Sequence, residues 1–295
     1  MNKNTPALSA AMIIAAGAIW GTIGLFVRHL SSDGLDSMQV TTIRCAVTAI
    51  VLFLYLLIRD RSLLRVRLRD LWCFFGTGIC SIVFFTWCYF SCITAGSLSV
   101  AAILLYTSPI FVTIMSALLF HEKITKMKII ALICAFGGCV LVSGVGEPIT
   151  IPTLLYGLGA GFGYALYPIF GRFALRRYAP LTVIFYTFLF AAAGCLLISD
   201  LSPVAAYLAA GPAHLAFAAA FGIVSCVIPY LLYTAGLQHT EPGTAAVMSS
   251  IEPVVATLVG LIAYRESLSV PMVLGILLVL TAIVLLNRKA AARAA

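Results

Sequence analysis

"AAILLYTSPIFVTIMSALLFHEKI" (residues 101–124) is answered 144 residues later by "AAVMSSIEPVVATLVGLIAYRESL" (residues 245–268). Laid over each other without a gap, the two segments pair Pro109 with Pro253, Thr113 with Thr257 and Glu122 with Glu266. Composition alone aligns leucines and alanines in so apolar a chain. It does not align prolines and glutamates at one offset. The same shift places Gly17 on Gly161, Trp20 on Tyr164, Phe26 on Phe170, Arg28 on Arg172 and Tyr89 on Tyr233. It also places "GICSIV" (78–83) on "GIVSCV" (222–227). A constant offset of this kind is the signature of an internal duplication.

What is duplicated is apolar. Of 295 residues, 62% are hydrophobic and 9% charged, and the mean hydropathy is +1.11. A soluble domain carries about 25% charged residues, so the chain lacks the polar residues to cover a water-facing surface. Apolar runs of about 18 residues or more span a hydrocarbon core of about 30 Å as helices. They are expected at 8–28, 38–58, 71–93, 97–119, 127–145, 153–174, 181–199, 214–236, 243–264 and 270–287. Their apolar residues fall on both parities, whereas barrel strands alternate. The first run carries small residues throughout rather than one cleavage site, so it reads as a span and not a signal peptide.

The expected fold is therefore an all-α membrane protein with ten transmembrane helices. Its halves are five-helix units at 8–145 and 152–287. Five is odd, so the second unit enters from the opposite side and the repeat is inverted. Secondary transporters are often built this way, with a substrate site near the midplane between the halves.

The net charge of +8 raises the question of nucleic acid, but its placement answers another. With the N-terminus inside, 15 of the 18 lysines and arginines fall on inner segments, five of them between Arg59 and Arg69. Only Arg28 and Arg265 fall on outer ends, and Arg44 lies within a span. This is the positive-inside bias of a multi-pass membrane protein with both termini cytoplasmic. Its basic partners are anionic lipid headgroups rather than nucleic acid.

"AAGAIWGTIGLFVR" (15–28), the arginine of "TTIRCAVTAI" (41–50) and the two proline–glutamate segments "SPIFVTIMSALLFHEKI" (108–124) and "EPVVATLVGLIAYRESL" (252–268) together resemble the EamA family of the drug/metabolite transporter superfamily. The resemblance covers about residues 8–287. It implies a carrier of the cell inner membrane for small solutes, often an exporter of amino acids, metabolites or toxic compounds, and it does not fix the substrate.

Glu252 is the residue the membrane reading makes expensive. It lies about ten residues into its span, near the midplane, where a charge costs roughly 2.5–3.5 kcal/mol. Arg44 lies about 9 Å deep from the outer side. Two arrangements fit: a buried Glu252–Arg44 pair that orients helices, or a Glu252 that lines the central cavity and there anchors a cationic substrate group or exchanges a proton with it. Trp20, Tyr89, Tyr164 and Tyr233 are favoured as pocket residues because the repeat pairs them, and aromatic faces suit a cation. Pro109 and Pro253 are expected to kink their helices at the cavity or to flex with gating, since proline removes a helix hydrogen bond. Pro168 and Pro229 are weaker cases of the same kind.

Other features carry less chemistry. The nine cysteines all fall inside spans and read as small packing residues. Gly157/Gly161 and Gly159/Gly163 in "YGLGAGFGYALYPIF" (156–170) allow close helix approach. Glu122 and Glu266 sit at span ends beside Lys123 and Arg265, as interfacial pairs. His29, His121, His214 and His239 form no ligand pair, so no metal or cofactor is expected. No G-x-x-x-x-G-K-[ST] segment is present for ATP.

The leading function is a secondary transporter that moves a small polar metabolite, amino acid or amine-like, by alternating access. Export is the expected direction and protons a candidate coupling ion. A membrane-embedded enzyme, a channel, and an importer or drug-efflux carrier of the same fold are the alternatives.

Overall fold

The computed structural model describes residues 5–144, 149–265 and 269–294. Those residues are helical, with no strand among them. Long helical segments follow in order: α1 (Pro6–Ser32), α2 (Ser37–Arg59), α3 (Leu68–Ala95), α4 (Leu98–Phe120), α5 (Lys126–Ser143), α6 (Ile151–Ala174), α7 (Pro180–Ile198), α8 (Pro212–Leu237), α9 (Pro242–Ala263) and α10 (Val270–Ala294). Eight helices among the described residues, all of these except α6 and α10, are long and apolar enough to cross a membrane. Helix α6 occupies the place of the sixth expected span, but its glycines and tyrosines dilute its apolar content. In α10 the apolar stretch is Val270–Leu286. Glu266 lies outside the described residues.

Short polar caps set the helix starts. Asp36 accepts the Gln39 N–H while the Gln39 side chain accepts the Asp36 N–H, both at 2.9 Å, a capping box that opens α2. Ser97, Thr125 and Thr150 cap α4, α5 and α6. The outer surface is apolar. Ile58, Leu197 and Ile262 are each more than 80% exposed, as suits side chains that meet lipid rather than water.

Local irregularities recur at the sequence offset of 144. The only non-glycine residues with positive φ among those described are His121 and Arg265, both at φ 55°. Residues Gly76–Val83 of α3 and Ile223–Val227 of α8 are both wound as π-helix. Helix α4 breaks at Tyr106–Thr107 and α9 at Ser250–Ile251. Gly161 holds α6 so close to the α4 break that a Cβ there would collide with the Thr107 hydroxyl. Gly17 does the same for α1 against the α9 break, where a Cβ would lie 2.7 Å from the Ser249 carbonyl.

Helix neighbours exchange in the same way. Helix α1 packs on α8 and α6 on α3; α1 packs on α9 and α6 on α4; α2 faces α7, and α5 faces α10. The last contact runs backbone to backbone in both directions. A Cβ on Gly138 would sit 2.7 Å from the Gly275 carbonyl, and one on Gly275 2.6 Å from the Gly138 carbonyl. Small residues let membrane helices associate through backbone proximity and dispersion.

Candidate functional site

The break in α9 sets the site. Ser249 and Ser250 donate back to the Ala246 carbonyl, at 2.9 and 3.3 Å. Such side-chain bonds compete with the helix ladder. Pro253 lacks the N–H that would continue it. A second half-helix therefore begins at Glu252, with Pro253 in its first turn. Pro109 holds the same position in the half-helix Ser108–Phe120. Both prolines thus start helices after a break, where a missing N–H costs nothing, rather than kinking a continuous helix. Pro229 likewise opens the helix after the α8 π-segment, and Pro168 alone of the four lies inside a helix. Thr113 and Thr257 take up the carbonyls of Pro109 and Pro253 at 2.7 and 2.8 Å.

Glu252 is partly buried at the N-terminus of that half-helix, where unsatisfied N–H groups favour negative charge. The Tyr164 hydroxyl donates to its Oε2 at 3.4 Å. Tyr89 and Tyr106 lie within its electrostatic reach. Gly21 admits the neighbouring backbone, since a Cβ there would lie 2.6 Å from the Glu252 carbonyl.

Beside Tyr164 lies a small cavity of about 20 Å³, lined by Trp20, Phe85, Tyr164, Tyr167, Tyr230 and Tyr233 among others. That is room for about one water. Trp20 stands edge-on to Tyr230 at 5.0 Å and tilted to Tyr233 at 5.4 Å. Tyr167 packs on Tyr230 at 5.0 Å and shares a 2.6 Å hydrogen bond with Thr234. Of the four aromatics expected from the sequence, Trp20, Tyr164 and Tyr233 line this cavity. Tyr89 stands behind it on Phe85, at 5.9 Å, facing the Glu252 side. Tyr167 and Tyr230 were not singled out by the repeat, because the offset pairs neither with a second aromatic of the cavity.

Arg44 does not close on Glu252: no ion pair joins them. Its Nε is buried without a hydrogen-bond partner. Its electrostatic neighbours include Cys45, Cys195, Cys226 and Tyr230, and its charge also reaches Glu252, so it meets the cavity wall at Tyr230 while Glu252 meets it at Tyr164. Of the two arrangements the sequence left open, a direct Glu252–Arg44 ion pair is not formed in this structure.

A second, open cavity of about 640 Å³ lies at the end of the molecule that carries Pro6. Lys128 bridges two carboxylates there, Glu122 at 3.0 Å and Glu241 at 2.7 Å. Burial raises the Glu122 carboxyl above its ordinary value, and the Lys128 ammonium opposes the shift. Sequence reading paired Glu122 with Lys123; its partner is Lys128. Arg172 caps the end of α8 through the carbonyls of Leu237 and Gln238, at 2.7 and 2.9 Å. Met248, on the wall of this vestibule, belongs to the same half-helix as Ala246 and Ser249 of the small aromatic cavity. Lys128 and Glu241 are 113 positions apart, and no local pattern links them. No group of three metal-ligating side chains occurs among the described residues.

Comparison with known proteins agrees with this architecture. The model of the EamA-like transporter family matches twice, over residues 7–144 and 151–288. An uncharacterized transporter of Archaeoglobus fulgidus is 24% identical over 280 residues, covering 95% of this chain and 96% of its own. A second from the same organism is 29% identical over 276 residues, with 92% and 95% covered. The uncharacterized inner membrane transporter YicL of Salmonella typhimurium is 22% identical over 291 residues, with 96% of each chain covered. A solved crystal structure superposes with a TM-score of 0.77 at 19% identity, covering 96% of this chain and 98% of its own, and speaks to the fold alone.

Proposed function

We propose, from the premise that the chain belongs to the EamA-like transporter family, that it is a secondary carrier exporting a small polar, amine-bearing metabolite across the cell inner membrane. In this reading ten spans form two inverted five-helix units, 8–145 and 152–287, that rock against each other in alternating access. The recurrence of breaks, π-segments and left-handed caps at one offset supports it, as does the family model's double match. The open vestibule then faces the cytoplasm, as the basic loops require, and the aromatic cavity is the shut inner chamber.

The observation that carries the reading is Glu252. A carboxylate deep in a span, at a helix break, with one long hydrogen bond and no ion pair, is costly unless a ligand uses it. It anchors the substrate's cationic group beside the faces of Trp20, Tyr164 and Tyr233. Arg44, on the far side of Tyr230, receives an anionic group. A proton is the candidate coupling ion, carried by Glu252 when the substrate is absent. The helix breaks at Pro109 and Pro253 are the flexing points.

Purified protein in liposomes, supplied with metabolite extract, should accumulate or release one solute without changing it chemically. Product formation would favour a membrane enzyme, and current without saturation a channel. In cells, deleting the gene should raise the intracellular pool of the exported solute; unchanged pools under many solute loads would refute export. A cysteine placed near Arg65 should be labelled from the cytoplasm. Labelling by an impermeant reagent outside intact cells would reverse the orientation.

A further inference from the structure

The chain from Leu64 to Asp70 and the turn after α6 meet at one corner of the molecule, beside the start of α3. There they enclose an open pocket of about 500 Å³, lined by Arg65, Val66, Arg67, Arg177 and Tyr178. It is a built pocket. The Tyr178 hydroxyl donates to Asp70 Oδ2 at 2.6 Å and accepts the Arg67 backbone N–H at 3.1 Å. Asp70 is buried, and its other oxygen takes Arg177 Nη1 at 2.7 Å. One acidic residue therefore fixes one of the three arginines. The Arg65 and Arg67 guanidinium groups remain exposed at the rim, with no ion pair among the described residues.

An apolar strip begins at the same corner. Leu68, Trp72 and Phe75 follow at the i, i+4, i+7 spacing of one helix face and are 85%, 48% and 47% exposed. Trp72 lies against Phe170 and Phe173 of α6, at 5.8 and 5.4 Å. Tryptophan at a helix end beside arginines marks the headgroup level of a bilayer. A guanidinium pair that outnumbers its carboxylate, directly above an exposed aromatic strip, matches one kind of molecule: a phosphodiester with an acyl chain below it.

We infer that this corner is a binding site for an anionic phospholipid. Its phosphate is held by Arg65 and Arg67, and its acyl chain lies along Trp72 and Phe75. Guanidinium groups suit phosphate oxygens because their planar donors engage two at once. Basic pockets beside spans on the face that carries the positive charge are where such lipids bind. The site is remote from Glu252 and does not depend on what the chamber carries.

The test is thermal stability of the purified full-length protein in nanodiscs of phosphatidylcholine, with and without about one third phosphatidylglycerol. Phosphatidylglycerol should raise the Tm by a few degrees. Arg65→Gln with Arg67→Gln, both at exposed positions, should abolish that rise without changing the Tm in phosphatidylcholine. Trp72→Ala should reduce the rise. Native mass spectrometry should retain at least one phosphatidylglycerol on the wild type and fewer on the double variant. Equal Tm values in the two lipids would overturn the inference, as would a double variant that keeps the full rise. A rise reproduced by inorganic phosphate alone, and insensitive to Trp72→Ala, would identify a soluble phosphate site and also overturn it.

Discussion

Lys128 and Glu241 meet at 2.7 Å across the vestibule, and with them the two matching stretches of the chain are joined at this face. The ammonium also holds Glu122 at 3.0 Å, and both it and Glu122 are about nine-tenths buried. At the offset of 144 the counterparts of Lys128 and Glu241 are Met272 and Ser97, so the sequence supplies no such bridge at the other face. Replacing Lys128 with methionine should loosen this face and widen the vestibule. A cysteine at Thr244, on the vestibule wall, should then react several-fold faster with a soluble maleimide than in the Lys128 background. Glu241 is 43% exposed, so solvent weakens its share and the effect stays within about tenfold. An unchanged rate would mean that the bridge does not restrain this face.

Asp70 makes stability depend on acid. The Tyr178 hydroxyl, then the Arg177 guanidinium, hold its carboxyl below the usual value. A depressed carboxylate contributes stability that is complete above the unfolded value, about 3.9, and is lost as pH falls through the folded one. Wild-type Tm should therefore fall between about pH 5 and the lowest pH the protein tolerates. Tyr178→Phe should lower the Tm at pH 7 and flatten that acid-dependent loss. A variant with the wild-type pH profile would show that the Asp70–Tyr178 bond contributes nothing there.

Gly138 and Gly275 let α5 and α10 touch through their backbones. Alanine at 138 would place a methyl group 2.7 Å from a carbonyl oxygen, forcing the helices apart. Such overpacking costs about 1–3 kcal/mol. The Tm of Gly138→Ala should fall by several degrees in detergent, whereas Gly137→Ala, with nothing within 4 Å of its Cβ, should be neutral. Equal Tm values for the two variants would place the helices further apart than this structure has them.

Much of this was legible in the chain itself, and the parts that were not share a cause. Apolar runs located the helices because crossing hydrocarbon demands length and composition, both local properties. The constant offset exposed the duplicated features because identical local chemistry recurs. Glu252 stood out because its cost does not depend on its neighbours. The break beside it was missed: Pro253 reads as a kink until Ser249 and Ser250 are seen to bond Ala246. The π-segments of α3 and α8 have no residue signature. The absence of an Arg44–Glu252 pair, the Lys128 bridge and the contributions of Tyr167 and Tyr230 are tertiary facts. They depend on how helices are set against each other, which spacing along one strand of sequence does not encode.

If Glu252 anchors the substrate, removing its charge alone should disable transport, which Glu252→Gln in proteoliposomes measures. Glutamine keeps the shape and the bond from Tyr164 while removing the charge. The same offset forms a matching break at Ser108 without a carboxylate, so the fold does not require one. The variant should insert, purify and melt like wild type. It should transport the identified solute at least tenfold more slowly, with a rate that no longer varies with pH. A Glu252→Gln protein that transports at the wild-type rate and with the wild-type pH dependence would show that Glu252 does not anchor the substrate.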